Sequence, residues 1–384
     1  MSTAPQTYFP TKPIHPGVSL ADELDFLSLS ITDVATRTGI SKKHLSNIVN
    51  GKASITSDMA IKLEKVTGTK ASFWNNLSRN YQASLAMIEE RAHIEAEADA
   101  ENISDFKETY QELQKHGVVE RYSWTKQNFV NITQNLLNFF SVHSLRYIPS
   151  TQPVAFRRHE QKNVNKNTIA AIIRLGERKA QTVQVEPFSK KALKEALPEI
   201  KSYSLLSPKE YLDSGILEEK LRTLGVVLVC VPGFKHTGLQ GAAKWIDTNK
   251  AMVIVKTRGQ EVDTRVTEDK FWFNLFHELG HLILHGKTEE FIDLDDDIDS
   301  NEESEADAFA NKQFMGGFEL SDLQEYKNNR GGIDADKAIR GLSERFGIAP
   351  AIVAGQMSYL YQDKQDNIYA VLRQYKRDIS YTNC

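Results

Sequence analysis

One short stretch constrains this 384-residue chain more than any other: two histidines and a glutamate at the spacing His277-Glu278-x-x-His281. Histidines four residues apart lie one above the other on one face of an α-helix, so both imidazoles can reach a single metal ion. Glu278 is turned by about 100° from that pair, beside the coordination position that the histidines leave open. The stretch therefore predicts a zinc site in which Glu278 is the base that activates water.

The surrounding sequence predicts that the motif lies on one helix, Glu268–His285, which Thr267 caps and Gly286 closes. The residues predicted to anchor the opposite face in a core are Phe271, Leu275, Leu279 and Leu282. His285 shares the histidine face, but eight residues of helix place it about 12 Å from His277, too far for one ion to bridge. We expect His285 to cap the helix C-terminus or to support the site from outside the ligand set.

A third metal ligand has to come from another part of the chain. A predicted helix begins with Glu302, 21 residues beyond His281. A carboxylate from this helix completes a set of two histidines and one glutamate, which leaves the fourth position for water. By chemistry alone, Glu302, Glu303 and Glu305 are all candidates. Acidic residues also favour a helix N-terminus because of its dipole, which accounts for some of them and not for all.

The stretches FWFNLFHELGHLILHGK and EESEADAFA together resemble the ImmA/IrrE family of metallopeptidases, over roughly residues 165–360. The resemblance implies that Glu303, three residues before Ala306, is the third zinc ligand of a gluzincin-like endopeptidase. Residues 239–255 are similar to the strand hairpin that precedes the zinc helix in that family. The chain departs from the family pattern after Phe314, where Met-Gly-Gly replaces Leu-Met-Pro, and this leaves the end of the helix open.

The stretch Ile31–Asn50, ITDVATRTGISKKHLSNIVN, has the spacing of two helices joined by a tight turn. Gly39 stands where the turn needs a positive φ, and Ser41 is a good N-cap for the second helix. Residues Ser41–Val49 then form the recognition helix of a helix-turn-helix, which enters the major groove of DNA. The side chains expected to contact bases or phosphates are Lys42, Lys43, His44 and Asn47, with Arg37 and Lys52 placed for the DNA backbone.

Charge is distributed unevenly along the chain, although the net charge is only −4. Residues 1–80 contain nine Lys and Arg against six Asp and Glu, whereas residues 288–307 contain eleven Asp and Glu and no Lys or Arg. The small basic surplus predicts a modest electrostatic contribution to DNA binding, which dimerisation would compensate.

The wider stretch from His15 to Tyr81 resembles the HigA-type antitoxins of the XRE repressor family. That resemblance implies a homodimer on operator DNA. Less directly, it implies an association with a toxin or a mobile element.

Hydrophobic periodicity predicts a mostly α protein with a small β-sheet, of the α+β class. The β-branched runs at 226–231 and 251–256 supply the strands, and residues 85–116 predict one long, largely solvated helix. The predicted segments are a helix-turn-helix domain at 1–90, a helical connector at 91–164, a zinc peptidase domain at 165–318 and a C-terminal helical subdomain at 319–384. The last of these contains a second helix–turn–helix pattern without basic residues, which we interpret as a helical cap of the peptidase domain.

The sequence also predicts where the protein resides. Residues 1–16 lack a basic start followed by an apolar stretch, so no signal peptide is expected. No apolar run reaches the roughly 20 residues that span a bilayer. The two cysteines, Cys230 and Cys384, fit a reducing compartment better than a disulfide scaffold. We therefore expect a cytoplasmic protein with no membrane partner.

These features predict a DNA-binding transcriptional regulator with a zinc-dependent endopeptidase domain. Proteases of the ImmA/IrrE family cut helix-turn-helix repressors, so the resemblance implies a repressor or another regulatory partner as substrate. An alternative is an antitoxin-type autorepressor that binds operator DNA and a toxin, with the zinc domain acting as a sensor. The presence of Glu278 beside both histidines favours the endopeptidase.

Overall fold

The computed structural model describes residues 12–151, 165–257, 266–286, 291–294, 301–316, 318, 320–327, 333–360, 371, 374–375 and 377–379. Residues 1–11 and Cys384, on which the signal-peptide and disulfide expectations partly rest, lie outside them. Contacts divide the chain into two compact units, 1–103 with 125–134 and 104–124 with 135–384. The boundaries of the four predicted segments stay a prediction.

The first unit is helical, and short capping sequences define its helices. These are α1 (Pro16–Phe26), α2 (Ile31–Thr38), α3 (Lys42–Val49), α4 (Ser57–Thr67), α5 (Ala71–Glu97) and α6 (Ala100–Ile103). Ser30 and Asp33 form a reciprocal capping box at the start of α2, and Gly39 ends that helix with a φ of 70°. The core of this unit includes the fully buried side chains of Leu20, Val34, Leu45, Ile48, Leu63 and Trp74.

The prediction of a single helix over residues 85–116 is wrong. Helix α5 begins at Ala71 and ends at Glu97, and the chain resumes as a separate helix, α7 (Lys107–Lys115). Tyr110 and Leu113 of α7 are fully buried, so this stretch is not the solvated helix that its Ala and Glu content indicated. Burying these side chains requires the chain to change direction, which one straight helix cannot do.

Nine more helices follow α7 among the described residues. They are α8 (Phe129–Phe140), α9 (Ile148–Thr151), α10 (Lys166–Thr182), α11 (Lys190–Ser202), α12 (Ile216–Arg222), α13 (Glu268–Leu284), α14 (Asn301–Met315), α15 (Ala335–Phe346) and α16 (Pro350–Leu360). Short 3₁₀-helices lie at Ser104–Phe106, Lys126–Asn128, Leu145–Tyr147, Tyr203–Leu205 and Leu320–Tyr326, and a five-residue π-helix lies at Lys209–Asp213. The predicted mostly α fold with a small sheet is confirmed.

In the described residues, the second unit contains a sheet of four strands in the order β1-β3-β2-β4. They are β1 (Val226–Pro232), β2 (Leu239–Trp245), β3 (Ala251–Thr257) and β4 (Phe291–Leu294). Strand β3 pairs parallel with β1 and forms the predicted antiparallel hairpin with β2. Strand β4 adds to the outer edge of β2, antiparallel. No strand was predicted there, because acidic residues surround its three apolar ones.

Helix α13, which carries the histidine motif, is the most deeply buried helix of the second unit. Its four predicted anchors are buried, each contributing about 1.5–3 kcal/mol relative to an exposed side chain. Helix α14 packs closely beside it at Gly280, where a Cβ would come within 3.0 Å of the Phe309 ring. Helix α14 ends at Met315, which settles the end that the sequence left open.

The C-terminal helices α15 and α16 join the same core as α13. Gly347, with a φ of 63°, turns the chain between them. Gly355 of α16 lies so close to Asp269 of α13 that a Cβ there would collide with its carboxylate. The interpretation of this region as a helical cap of a peptidase domain stays a prediction. In the described part of the chain, no helix combines the length and apolar composition needed to cross a membrane.

Candidate metal centre and recognition helix

The structure brings His277, His281 and Glu303 together between α13 and α14. Nε2 of His277 lies 2.9 Å from Oε2 of Glu303, and Nε2 of His281 lies 3.0 Å from the His277 nitrogen and 3.3 Å from the same oxygen. Three ligand atoms held tetrahedrally at 2.0–2.1 Å from one zinc ion lie about 3.4 Å apart. The three atoms are therefore spaced closely enough to share one ion.

The environment of these side chains also fits a cation. The exposed fractions are 2% for His277, 1% for His281 and 4% for Glu303. A buried carboxylate needs a positive partner, and two imidazole nitrogens with one carboxylate form a donor set that suits Zn²⁺. Burial lowers the pKa of His281 although Glu303 opposes the shift, which favours the neutral imidazole that binds metals. Within the described ranges this is the one such cluster.

Glu278 directly follows His277 in α13 and is fully buried. Strand β2 passes directly along the Glu278 side chain. The approach is so close that a Cβ on Gly241 would collide with Oε1 of Glu278. Asn274, one turn earlier on α13, donates a hydrogen bond of 3.4 Å to the Gln240 carbonyl and holds β2 in this position. Sequence reasoning missed Gly241, although a glycine inside a strand indicates a close approach of this kind.

Asp307 was also missed by sequence reasoning. Its Oδ1 lies 2.8 Å from Nδ1 of His277, so that Nδ1–H donates to the carboxylate and leaves the Nε2 lone pair facing the cluster. Asp307 follows Glu303 by four residues and therefore lies on the same face of α14. That spacing could have indicated its role.

The structure distinguishes the three acidic candidates for the third ligand. Glu303 points into the cluster, whereas Glu305 has 63% of its side chain exposed and Glu302 is half-buried. His285 lies outside the ligand set, as expected, and is the C-cap residue of α13. Thr267 is the N-cap residue of α13 as predicted, but its side chain makes no capping hydrogen bond.

In the first unit, α2, Gly39 and α3 form the predicted helix–turn–helix arrangement. The Ser41 side chain accepts the His44 N–H at 3.2 Å, and Leu45 and Ile48 are fully buried, which fixes the inward face of α3. The exposed basic side chains are Lys42, Lys43, Arg37 and Lys52. Asn47 is half-buried.

His44 differs from the other predicted DNA contacts. It is half-buried, and its Nε2 is enclosed without a hydrogen-bond partner. Its role as a direct reader of bases stays a prediction, as do the roles of the other five residues expected to contact DNA.

Residues 27–74 match the helix-turn-helix family model. The chain is 37% identical over 94 residues to a helix-turn-helix transcriptional regulator of Haemophilus influenzae, covering 21% of this chain and 88% of that protein. It is 38% identical over 73 residues to virulence-associated protein A′ of Dichelobacter nodosus, covering 19% of this chain and 64% of that protein. A solved structure of Pseudomonas aeruginosa antitoxin HigA with the higBA promoter is 36% identical, covering 22% of this chain and 95% of that one, with a TM-score of 0.21.

The matched residues contain the whole of α2, Gly39 and α3. The chain therefore belongs to the helix-turn-helix transcriptional regulators and is a DNA-binding protein of that type. This family assignment concerns about a fifth of the chain.

Proposed function

We propose that this transcriptional regulator carries a zinc-dependent endopeptidase of the ImmA/IrrE type, which cleaves a protein that controls transcription. The observation that carries the proposal is the buried cluster of His277, His281 and Glu303 with Glu278 beside it. A helix-turn-helix in the same chain supports a substrate that acts near DNA, such as a repressor.

The residues of the cluster would divide the chemistry between them. His277, His281 and Glu303 would hold Zn²⁺, which when bound supplies Lewis acidity at the site. The Glu278 carboxylate would accept the proton of the attacking water and return it to the leaving amine. Asp307 would keep His277 in the tautomer that presents Nε2.

The test compares the wild type with Glu278→Gln against helix-turn-helix repressors from the same genome, with and without zinc. We expect the zinc-loaded wild type to cut one of them at a defined site. The glutamine variant should bind zinc equally well and cut about 10²–10⁴-fold more slowly, the usual effect of losing a general base. Mass spectrometry of the products identifies the cut.

Two results would argue against this function. Equal cleavage by both proteins would point to a contaminating protease. If the zinc-loaded wild type cuts none of the repressors, the second candidate gains: an autorepressor whose metal domain senses a ligand or metal. A toxin partner and a homodimer also remain predictions. The identity of the neighbouring gene tests the toxin partner, and the molecular mass of the protein in solution tests the homodimer.

A further inference from the structure

His285 is not a ligand, yet only 8% of its side chain is exposed. Its ring continues the row of α13 histidines, with its centroid 5.2 Å from that of His281. Its Nε2 lies 3.2 Å from the backbone oxygen of Glu302. Because a carbonyl oxygen only accepts, Nε2 must carry the hydrogen and donate it.

This hydrogen bond joins the end of α13 to the first turn of α14. Glu302 is the second residue of α14 and directly precedes Glu303. The first N–H groups of a helix lack acceptors within the helix, and helix ends fray. The turn that carries Glu303 is therefore held less by its own helix than the middle of α14 is, and a donor from α13 restrains it.

A second bond restrains the same region from the other side. Asp307 holds His277, one turn along α14 from Glu303. The two bonds, Asp307 to His277 and Glu302 to His285, thus lie on either side of Glu303 along α14. Their partners lie on either side of His281 along α13. The Glu303 carboxylate is held between them.

We propose that His285 is a positioning residue for Glu303. Its Nε2–H holds the Glu302 carbonyl, and this sets the distance between the Glu303 carboxylate and the two histidines. The inference rests on the metal centre of the proposed function and does not depend on the centre cutting protein.

The test measures the zinc dissociation constant of the full-length chain by competition with a chromophoric chelator. His285→Leu removes the donor and keeps apolar bulk beside His281, whereas His285→Gln keeps an N–H donor of similar reach. We expect His285→Leu to weaken zinc binding about 10- to 100-fold, the usual effect of losing a residue that orients a ligand. His285→Gln should keep most of the affinity. The matched control is Glu305→Gln, whose exposed carboxylate lies 3.9 Å from Nδ1 of His285 and which should bind zinc like the wild type.

Thermal melting of each variant in chelator separates loss of the fold from loss of the ligand geometry. If His285→Leu unfolds at a lower temperature than the wild type, the zinc affinity of His285→Gln decides the test. Zinc affinity of His285→Leu equal to that of the wild type overturns the proposal. So does a glutamine variant as weak as the leucine one, because the ring and not the donor would then matter. If the wild type does not bind one zinc ion per chain, both the metal centre and this inference are wrong. If the zinc affinities are as expected but no protein is cleaved, only the proposed peptidase activity is wrong.

Discussion

Glu268 shows how strongly a single residue can depend on its surroundings. It is the first residue of α13, where a carboxylate suits the helix dipole, but its side chain is fully buried. The Tyr211 hydroxyl donates to Oε1 at 3.3 Å, and Nε of Arg377 lies 3.8 Å from Oε2. Burial raises the pKa of Glu268 from its ordinary 4.5 to about 7, although Arg377 and Tyr211 oppose the shift.

This shift predicts a pH-dependent stability. The folded protein binds the Glu268 proton more tightly than the unfolded chain does. Below pH 4.5 the carboxyl group is protonated in both states, so its ionisation does not lower the free energy of unfolding. As the pH rises from there through about 7, ionising the buried carboxyl group progressively lowers the free energy of unfolding. The difference of 2.5 between these pKa values corresponds to about 3 kcal/mol. We expect Glu268→Gln to gain stability relative to the wild type by an amount of that order between pH 4.5 and pH 8, measured by urea unfolding.

The control for this prediction is Glu219→Gln, which makes the same substitution at a carboxylate that is 65% exposed in the folded protein. A Glu268→Gln difference that stays constant from pH 4.5 to pH 8 would contradict the raised pKa.

At the scale of elements, glycines decide how closely helices and strands approach. Gly17 of α1 lies against the backbone of α3, where a Cβ would collide with the Ile48 carbonyl. Gly280 and Gly241 allow similarly close approaches beside the candidate metal centre. The recognition helix packs closely on α1, and β2 packs closely on Glu278, because glycine has no side chain at these contacts.

Gly17→Ala is predicted to destabilise the first unit. The new methyl group would meet backbone, which cannot rotate away, and overpacking of this kind costs about 1–3 kcal/mol. Val18→Ala on the same helix is the matched control, because Val18 is 48% exposed. Thermal unfolding of both variants tests this, and an alanine at position 17 that melts with the wild type would refute the close contact.

The exposed lysines of the recognition helix predict how DNA affinity depends on salt concentration. Lys42 and Lys43 are exposed at the N-terminus of α3, where they can contact phosphates. The slope of log K against log salt is negative, and each lost phosphate contact reduces its magnitude by about 0.9. The double alanine variant is therefore expected to bind duplex DNA more weakly, with a slope whose magnitude is smaller by about two, measured by fluorescence anisotropy at several salt concentrations.

Lys70→Ala provides the comparison, since Lys70 has 79% of its side chain exposed and pairs with Glu64, outside helices α2 and α3. An unchanged slope in the double variant would remove α3 from the DNA interface.

At the scale of the whole molecule, the helix-turn-helix and the candidate metal centre belong to different compact units. The helix-turn-helix lies in residues 1–103, and the three candidate metal ligands lie in residues 135–384. Each unit has its own buried cluster of apolar side chains. A ligand that binds only the folded form stabilises the unit that holds it.

Zinc is therefore expected to stabilise the second unit selectively. At a free concentration of 100 times the dissociation constant, the gain is about 2.7 kcal/mol. Hydrogen exchange with zinc and with chelator should show added protection in α13 and α14 and none in α2 and α3. His281→Ala, which lacks one ligand, should lose this protection. Equal protection in both units, or none in either, would argue against a metal centre confined to the second unit.

The sequence by itself determined the parts that depend on local periodicity. The helix-turn-helix, the hairpin β2–β3 and the histidine helix all follow from spacing, capping residues and turn glycines, which act within a few residues. It also placed His277, Glu278 and His281 on one helix, and the family resemblance selected Glu303 from three acidic neighbours.

Only the tertiary structure decided which distant groups meet. It turned the Glu303 carboxylate toward the histidines, placed Asp307 behind His277 and ran β2 past Glu278 at Gly241. It also split the predicted helix at residues 85–116 and paired β4 with the edge of β2. These outcomes depend on packing between segments far apart in sequence, whose burial and partners no local pattern contains. The two histidines were visible from their spacing, but the site they belong to exists only where α13, α14 and β2 come together.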